Sequence, residues 1–164
     1  MRLDKPAVLA WDRQQSQRLS QWAHGRYRRP LTWILARTGD SLTWVILIAI
    51  FLWRHQSIGF DLAWAVAGTA VAVFLLKGVF KRQRPIKTNK ITNDKYAFPS
   101  GHAARSTAVA ITLAFAFPAF VWLYLVWAAA VSLARVALAR HFLTDVLGGA
   151  VVGVVTAVVL QIVL

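Results

Sequence analysis

The chain has 164 residues, 58% of them hydrophobic, with eight tryptophans and a formal net charge of +13. That is one domain's worth of sequence, too apolar for an ordinary soluble protein and too basic for a passive anchor. The absence of cysteine excludes disulfides, thiolate zinc sites and cysteine nucleophiles.

Residues 1–28 place Leu3, Val8, Trp11, Leu19 and Trp22 among Arg, Lys and Gln. This suits an amphipathic helix lying in the membrane interface with its basic face toward head groups. The longest apolar run there, 7–11, is too short for a signal-peptide core, so the first membrane segment is expected to be retained. Stretches of the roughly 17–25 apolar residues needed to cross a bilayer cover 30–53 and 60–80. Within the first, "RTGDS" at 37–41 predicts a helix break or an interfacial start. Residues 81–100 form a long polar loop. A shorter apolar stretch, 103–117, is separated by Pro118 from another at 119–139, and the last runs over 142–164. The expected fold is an all-α integral membrane protein, a single domain over 1–164. A bundle of about five transmembrane helices, 29–164, follows the interfacial helix.

Five crossings put the N-terminus, the polar loop and the 140–145 turn on one side. Thirteen basic residues precede residue 30 or lie in the loop, against Arg54 alone on the other side. The positive-inside rule assigns the charged side to the cytoplasm.

Three charged clusters sit at helix ends facing that side. A cation at the bilayer centre costs on the order of 2.5–3.5 kcal/mol, so their convergence calls for a shared reason. In "KGVFKRQRP", Lys77 and Arg84 are seven apart and point the same way if the helix continues that far; Pro85 then stops it. In "FPSGHAARS", Ser100 is a helix N-cap followed by free amides, an anion site that Gly101 leaves open and that His102 faces. In "RVALARHFLTD", His141 and Asp145 are spaced i and i+4. The carboxylate can then accept the Nδ1 proton and leave Nε2 as nucleophile or base. Arg135 lies six residues before His141, so both serve one site only if the chain bends near Ala139 and Arg140. Taken singly, these clusters also read as a basic helix end and a helix cap. His102, His141 and Asp145 also form a plausible metal-ligand set, but the surrounding cations would repel a metal ion or a moving cation. No metal and no cofactor is expected.

Together the clusters resemble the type 2 phosphatidic acid phosphatase family, the lipid phosphate phosphatases, with the pattern K-x(6)-R-P, then P-S-G-H, then S-R-x(5)-H-x(3)-D. Lys77, Arg84 and Pro85 match the first block; Pro99, Ser100, Gly101 and His102 the second; Arg135, His141 and Asp145 the third. Ala134 departs from the usual serine. The resemblance covers 77–145, and five spans plus an interfacial helix are one span fewer than the six of bacterial relatives.

The resemblance implies that His141 attacks phosphorus, oriented by Asp145, to form a phosphohistidine. His102 protonates the leaving alkoxide and then activates water. Lys77, Arg84, Arg135, the Ser100 hydroxyl and the Gly101 amide hold the phosphate oxygens. The expected partners are the bilayer and a lipid phosphate, such as phosphatidic acid, phosphatidylglycerol phosphate or an isoprenyl phosphate or diphosphate, and no nucleic acid. The expected location is a bacterial inner membrane. Relatives often carry the site on the outer face, whereas the charges here favour the cytoplasmic one. A phosphotransferase on the same scaffold is the near alternative, and vanadate haloperoxidase chemistry is a more remote one. A non-enzymatic binder of anionic lipids would leave the paired histidines unmotivated.

Overall fold

The computed structural model describes residues 6–86 and 93–163. Leu3, and four of the thirteen basic residues counted above, Arg2, Lys5, Lys87 and Lys90, lie outside the described residues. Helices α1 (Pro6–Ala23), α2 (Arg28–Arg37), α3 (Ser41–Trp53) and α4 (Ile58–Phe80) precede the polar loop. In the loop, Asn93–Lys95 forms a 3₁₀ turn. Helices α5 (Gly101–Ala116), α6 (Val121–Ala137) and α7 (Leu143–Val163) follow it, with a second 3₁₀ turn, Pro118–Phe120, before α6. Among the described residues there is no strand, only a bridge between Gln83 and Tyr96.

Among the described residues three segments, Ile58–Phe80, Pro118–Ala137 and Leu143–Val163, are long and apolar enough to cross a membrane. The pair α2 and α3, bent by 48° at "RTGDS", qualifies as a fourth if taken as one broken span. At 16 residues α5 is shorter than these, so length and composition support three or four spans where the sequence led us to expect about five.

α5 packs against α4, α6 and α7. Its alanines and small polar residues make that possible: Ala103, Ala104, Ser106, Ala108, Val109 and Ala110 are all buried. α7 comes closest, because it presents Gly149 and Gly153, a small-x-x-x-small pair. A Cβ at Gly149 would collide with the Ser100 carbonyl, and one at Gly153 with the Ala104 carbonyl. This backbone-to-backbone seam sets the start of α5 beside the start of α7. A separate apolar cluster of Trp44, Ile48, Ile58, Leu62 and Val109 joins α3 and α4 to α5 at the far end. Large apolar side chains such as Trp53, Val79, Trp122 and Ile162 stay exposed on the outside, as expected of surfaces whose solvent is lipid.

α1 turns its polar side inward. Asp12, Ser16 and Ser20, four residues apart and so on one helix face, are buried, while Val8, Trp11 and Trp22 are exposed.

Candidate active site

α4 ends at Phe80 because Lys81 adopts a left-handed conformation, φ 48°. The helix therefore does not continue to Arg84, and the two-turn argument for Lys77 and Arg84 fails in its mechanism. The two side chains nevertheless meet, because the loop returns. Lys77 Nζ donates to Asp94 Oδ1 at 2.8 Å, and Arg84 donates to the same oxygen at 3.0 Å and to the Asp94 carbonyl at 2.7 Å. A carboxylate oxygen thus lies between the two cations where a phosphate oxygen would fit. Burial pushes the Arg84 guanidinium below its usual pKa, with Asp94 opposing that shift.

Ser100 is the N-cap residue of α5, and its side chain makes no capping bond. Its backbone N–H donates instead to the Asp145 carbonyl at 2.9 Å. A side chain at Gly101 would meet only Val73, at an ordinary 3.6 Å, so packing alone does not require glycine there. His102 Nε2 lies 2.7 Å from Asp40 Oδ1. Asp40 sits at the break between α2 and α3, and the Gly39 carbonyl beside it accepts a hydrogen bond from Arg105 at 3.0 Å.

The bend needed between Arg135 and His141 is present. α6 ends in a Schellman turn: Ala139, at φ 53°, donates to the Val136 carbonyl and Arg140 to the Arg135 carbonyl. His141 therefore precedes α7 and is not on a helix with Asp145, contrary to the same-face argument. Their proximity comes from the cap of α7. Asp145 Oδ2 accepts the Phe142 N–H at 2.8 Å, the arrangement of a capping box. His141 Nδ1 lies 3.7 Å from that oxygen, in ion-pair range but beyond a hydrogen bond. Burial pushes the His141 imidazole down to about 4; Asp145 opposes the shift, and Arg84 and Arg135 reinforce it.

Asp145 is held from the other side by residues that sequence reasoning missed. Its Oδ1 accepts from Arg82 at 2.8 Å, and Arg82 also donates to Asp12 at 2.7 Å. Both carboxylates are fully buried, so Arg82 forms one continuous charge bridge from α1 to α7. α1 also caps α7: the Thr144 N–H donates to Asp12 and the Leu143 N–H to Ser16, satisfying amides that a helix start leaves unpaired.

Arg84 reaches the Arg140 carbonyl at 3.5 Å and lies in electrostatic range of His141 and Arg135, and Arg135 in range of His102. All eight expected site residues therefore belong to one locality. Four buried polar atoms there, Arg84 Nε, Ser100 Oγ, Arg135 Nε and His141 Nδ1, have no hydrogen-bond partner among the described residues. Among those residues no three His, Cys, Asp or Glu side chains form a metal-binding group. A signal for Asp12, Asp40 and Asp94 was available: the chain has only six acidic residues, and a carboxylate in so apolar and basic a sequence calls for a cationic partner.

The sequence profile of the PAP2 superfamily matches residues 58–163. The fold is similar to that of the first transmembrane PAP2 type phosphatidylglycerolphosphate phosphatase from Bacillus subtilis. The TM-score is 0.81 at 23% identity, over 97% of this chain and 87% of that one. It is also similar to Aquifex aeolicus LpxE, with a TM-score of 0.77 at 19% identity over 90% of this chain and 93% of that one. The matched region begins after α3, so Asp12 and Asp40 lie outside it.

Proposed function

The chain belongs to the PAP2 superfamily, and from that premise we propose that it is a metal-independent lipid phosphate phosphatase acting through a phosphohistidine. His141 Nε2 attacks phosphorus in line while the bond to the leaving oxygen breaks; His102 donates its proton to that oxygen. His102 then takes a proton from water, whose oxygen attacks the phosphohistidine and frees His141 and inorganic phosphate. Asp145, fixed by Arg82 and the Phe142 amide, orients His141 and stabilises its charged form. Asp40 orients His102 through the 2.7 Å contact. Lys77, Arg84, Arg135, the Ser100 hydroxyl and the Gly101 amide hold the non-bridging oxygens, and Asp94 withdraws as phosphate enters.

The observation that carries this reading is the set of buried, unpartnered donors Arg84 Nε, Ser100 Oγ and Arg135 Nε. They come from three separate sequence blocks; Arg84 and Arg135 act on His141, and the Ser100 backbone is bonded to Asp145. Buried polar groups are normally paired, and a tetrahedral oxyanion supplies acceptors to all three.

The wider arrangement belongs to the same proposal. The whole chain acts as one membrane-embedded domain, with the bent α2–α3 pair, α4, α5, α6 and α7 as five crossings and α1 in the interface. The membrane is the bacterial inner membrane, with the site on its cytoplasmic face, as the charge distribution favours. The substrate head reaches the site from the bilayer surface while its tails remain in lipid.

Purified protein in neutral detergent, with chelator present, is expected to release phosphate from a lipid phosphate. His141→Ala is expected to abolish the release, and full activity in that variant would refute the proposal.

A further inference from the structure

Arg105 is a half-buried cation that the proposed mechanism leaves without a role. It lies on α5 one turn after His102, on the same side of the helix, and Asp40 and Asp94 are in electrostatic range. Among the described residues its hydrogen bond goes to neither carboxylate. Its Nη1 donates instead to the Gly39 carbonyl at 3.0 Å, at the break between α2 and α3. A charged donor placed on a backbone carbonyl in so apolar a chain calls for a reason.

The break itself supplies one. Asp40 is the N-cap residue of α3, yet its carboxylate makes no capping bond, although an aspartate in that position usually accepts from the helix's own amides. The carboxylate is turned to His102 instead, with Oδ1 2.7 Å from Nε2. Its direction is therefore not set by the helix it begins, and contacts from α5 and α6 hold the break in place. Trp127 Nε1, on α6, donates to Thr38 Oγ1 at 2.9 Å. Gly39 packs so closely that a Cβ there would come 2.6 Å from Val131 Cγ1 and 3.5 Å from the His102 ring. Arg105 ties the carbonyl of that glycine, the neighbour of Asp40, to the helix that carries His102. The tie crosses the edge of the family match, because Arg105 lies within 58–163 and Gly39 and Asp40 precede it. Without it the break can shift and the carboxylate can return to the amides of α3. We propose that Arg105 is a positioning residue for the acid step: through the Gly39 carbonyl it holds Asp40 against His102, which fixes the imidazole and leaves Nδ1 to serve the leaving oxygen. The inference rests on the proposed function, in which His102 is that acid.

The test measures kcat and KM in neutral detergent for two substrates of matched chain length. One is a long-chain alkyl phosphate, and the other a nitrophenyl phosphate carrying the same chain on its ring, whose leaving oxygen needs little protonation. Arg105→Met is expected to lower kcat on the alkyl phosphate roughly three- to tenfold with KM unchanged, and to leave nitrophenyl turnover within about twofold of wild type. In an Asp40→Asn background the same substitution should cost little more, because residues that act through one another do not add. Equal losses on the two substrates, a loss that adds in full to that of Asp40→Asn, or no loss at all would overturn the inference. Should Arg105→Met fail to fold, Arg105→Gln, a polar chain of shorter reach, is held to the same outcomes. Each of these results leaves wild-type activity standing and so bears on Arg105 alone. No phosphate release from either substrate by the wild-type protein would overturn the proposed function itself.

Discussion

The two histidines of the site occupy different electrostatic surroundings. His141 stands against a network in which Asp145, Arg82, Asp12 and the Phe142 and Thr144 amides satisfy one another at 2.7–3.2 Å, and it lines a cavity of about 920 Å³ bordered by α1 and the polar loop. Among the described residues His102 has one carboxylate partner, Asp40, which borders an arginine-lined cavity. In the proposed mechanism the nucleophile must meet phosphorus along one line, and the bonds from Arg82 and the Phe142 amide hold the carboxylate that faces it. Substitutions on the His141 side should therefore reduce turnover of every substrate alike, whereas those on the His102 side should have effects that depend on the leaving group.

The largest effect tests the His141 side. Asp145→Asn keeps the shape but removes the charge that balances Arg82 and steadies the histidine. A loss of roughly 10³-fold in kcat is expected by analogy with carboxylates that orient catalytic histidines, to be measured as phosphate release in steady state. Asp12→Asn, outside the PAP2-matched region and touching no substrate, should still lower kcat roughly 10- to 100-fold with little change in KM. An unchanged kcat would reduce the α1 network to packing.

On the His102 side, Asp40→Asn should cost roughly tenfold with an alkyl phosphate. The cost should be much smaller with a nitrophenyl phosphate, whose leaving oxygen needs little protonation. An equal loss on both would erase the distinction between the two sides. A smaller effect is expected for Asp94→Asn. Without its carboxylate between Lys77 and Arg84, KM and the inhibition constant for inorganic phosphate should fall a few-fold.

The pH dependence completes the comparison. The unfolded chain protonates His141 near the ordinary 6.5, while the folded chain refuses that proton until about 4. The unfolded state therefore binds more protons in between, and stability falls as pH drops from 6.5 toward 4. Thermal unfolding in detergent should show that slope, and it should be weaker in His141→Gln.

The placement of the candidate residues was legible where it depended on spacing along the chain. Lys77, Arg84, Ser100, Gly101, His102, Arg135, His141 and Asp145 fall at helix ends that converge, and the bend demanded between Arg135 and His141 exists as a Schellman turn at Ala139. The reasons given were only partly right. Lys77 and Arg84 meet through a returning loop because Lys81 ends α4 early, and His141 meets Asp145 through a helix cap. Asp12, Arg82, Asp40 and Asp94 were not found, because their roles exist only between segments that helix periodicity does not relate. Asp12 to Arg82 spans 70 residues, and Asp40 to His102 spans 62. Periodicity also predicted an α1 with its basic face outward, but not the buried stripe of Asp12, Ser16 and Ser20 that docks it.

The central claim is that His141 takes the phosphoryl group, and trapping the enzyme in turnover tests it most directly. Lipid labelled with ³²P at the terminal phosphate is mixed with purified protein, quenched in alkali, and the labelled peptide is mapped. The account predicts label on His141, absent from His141→Ala and persisting longer in His102→Ala, which lacks the base for hydrolysis. Label on another residue, or rapid phosphate release with no labelled protein at any time, would contradict it.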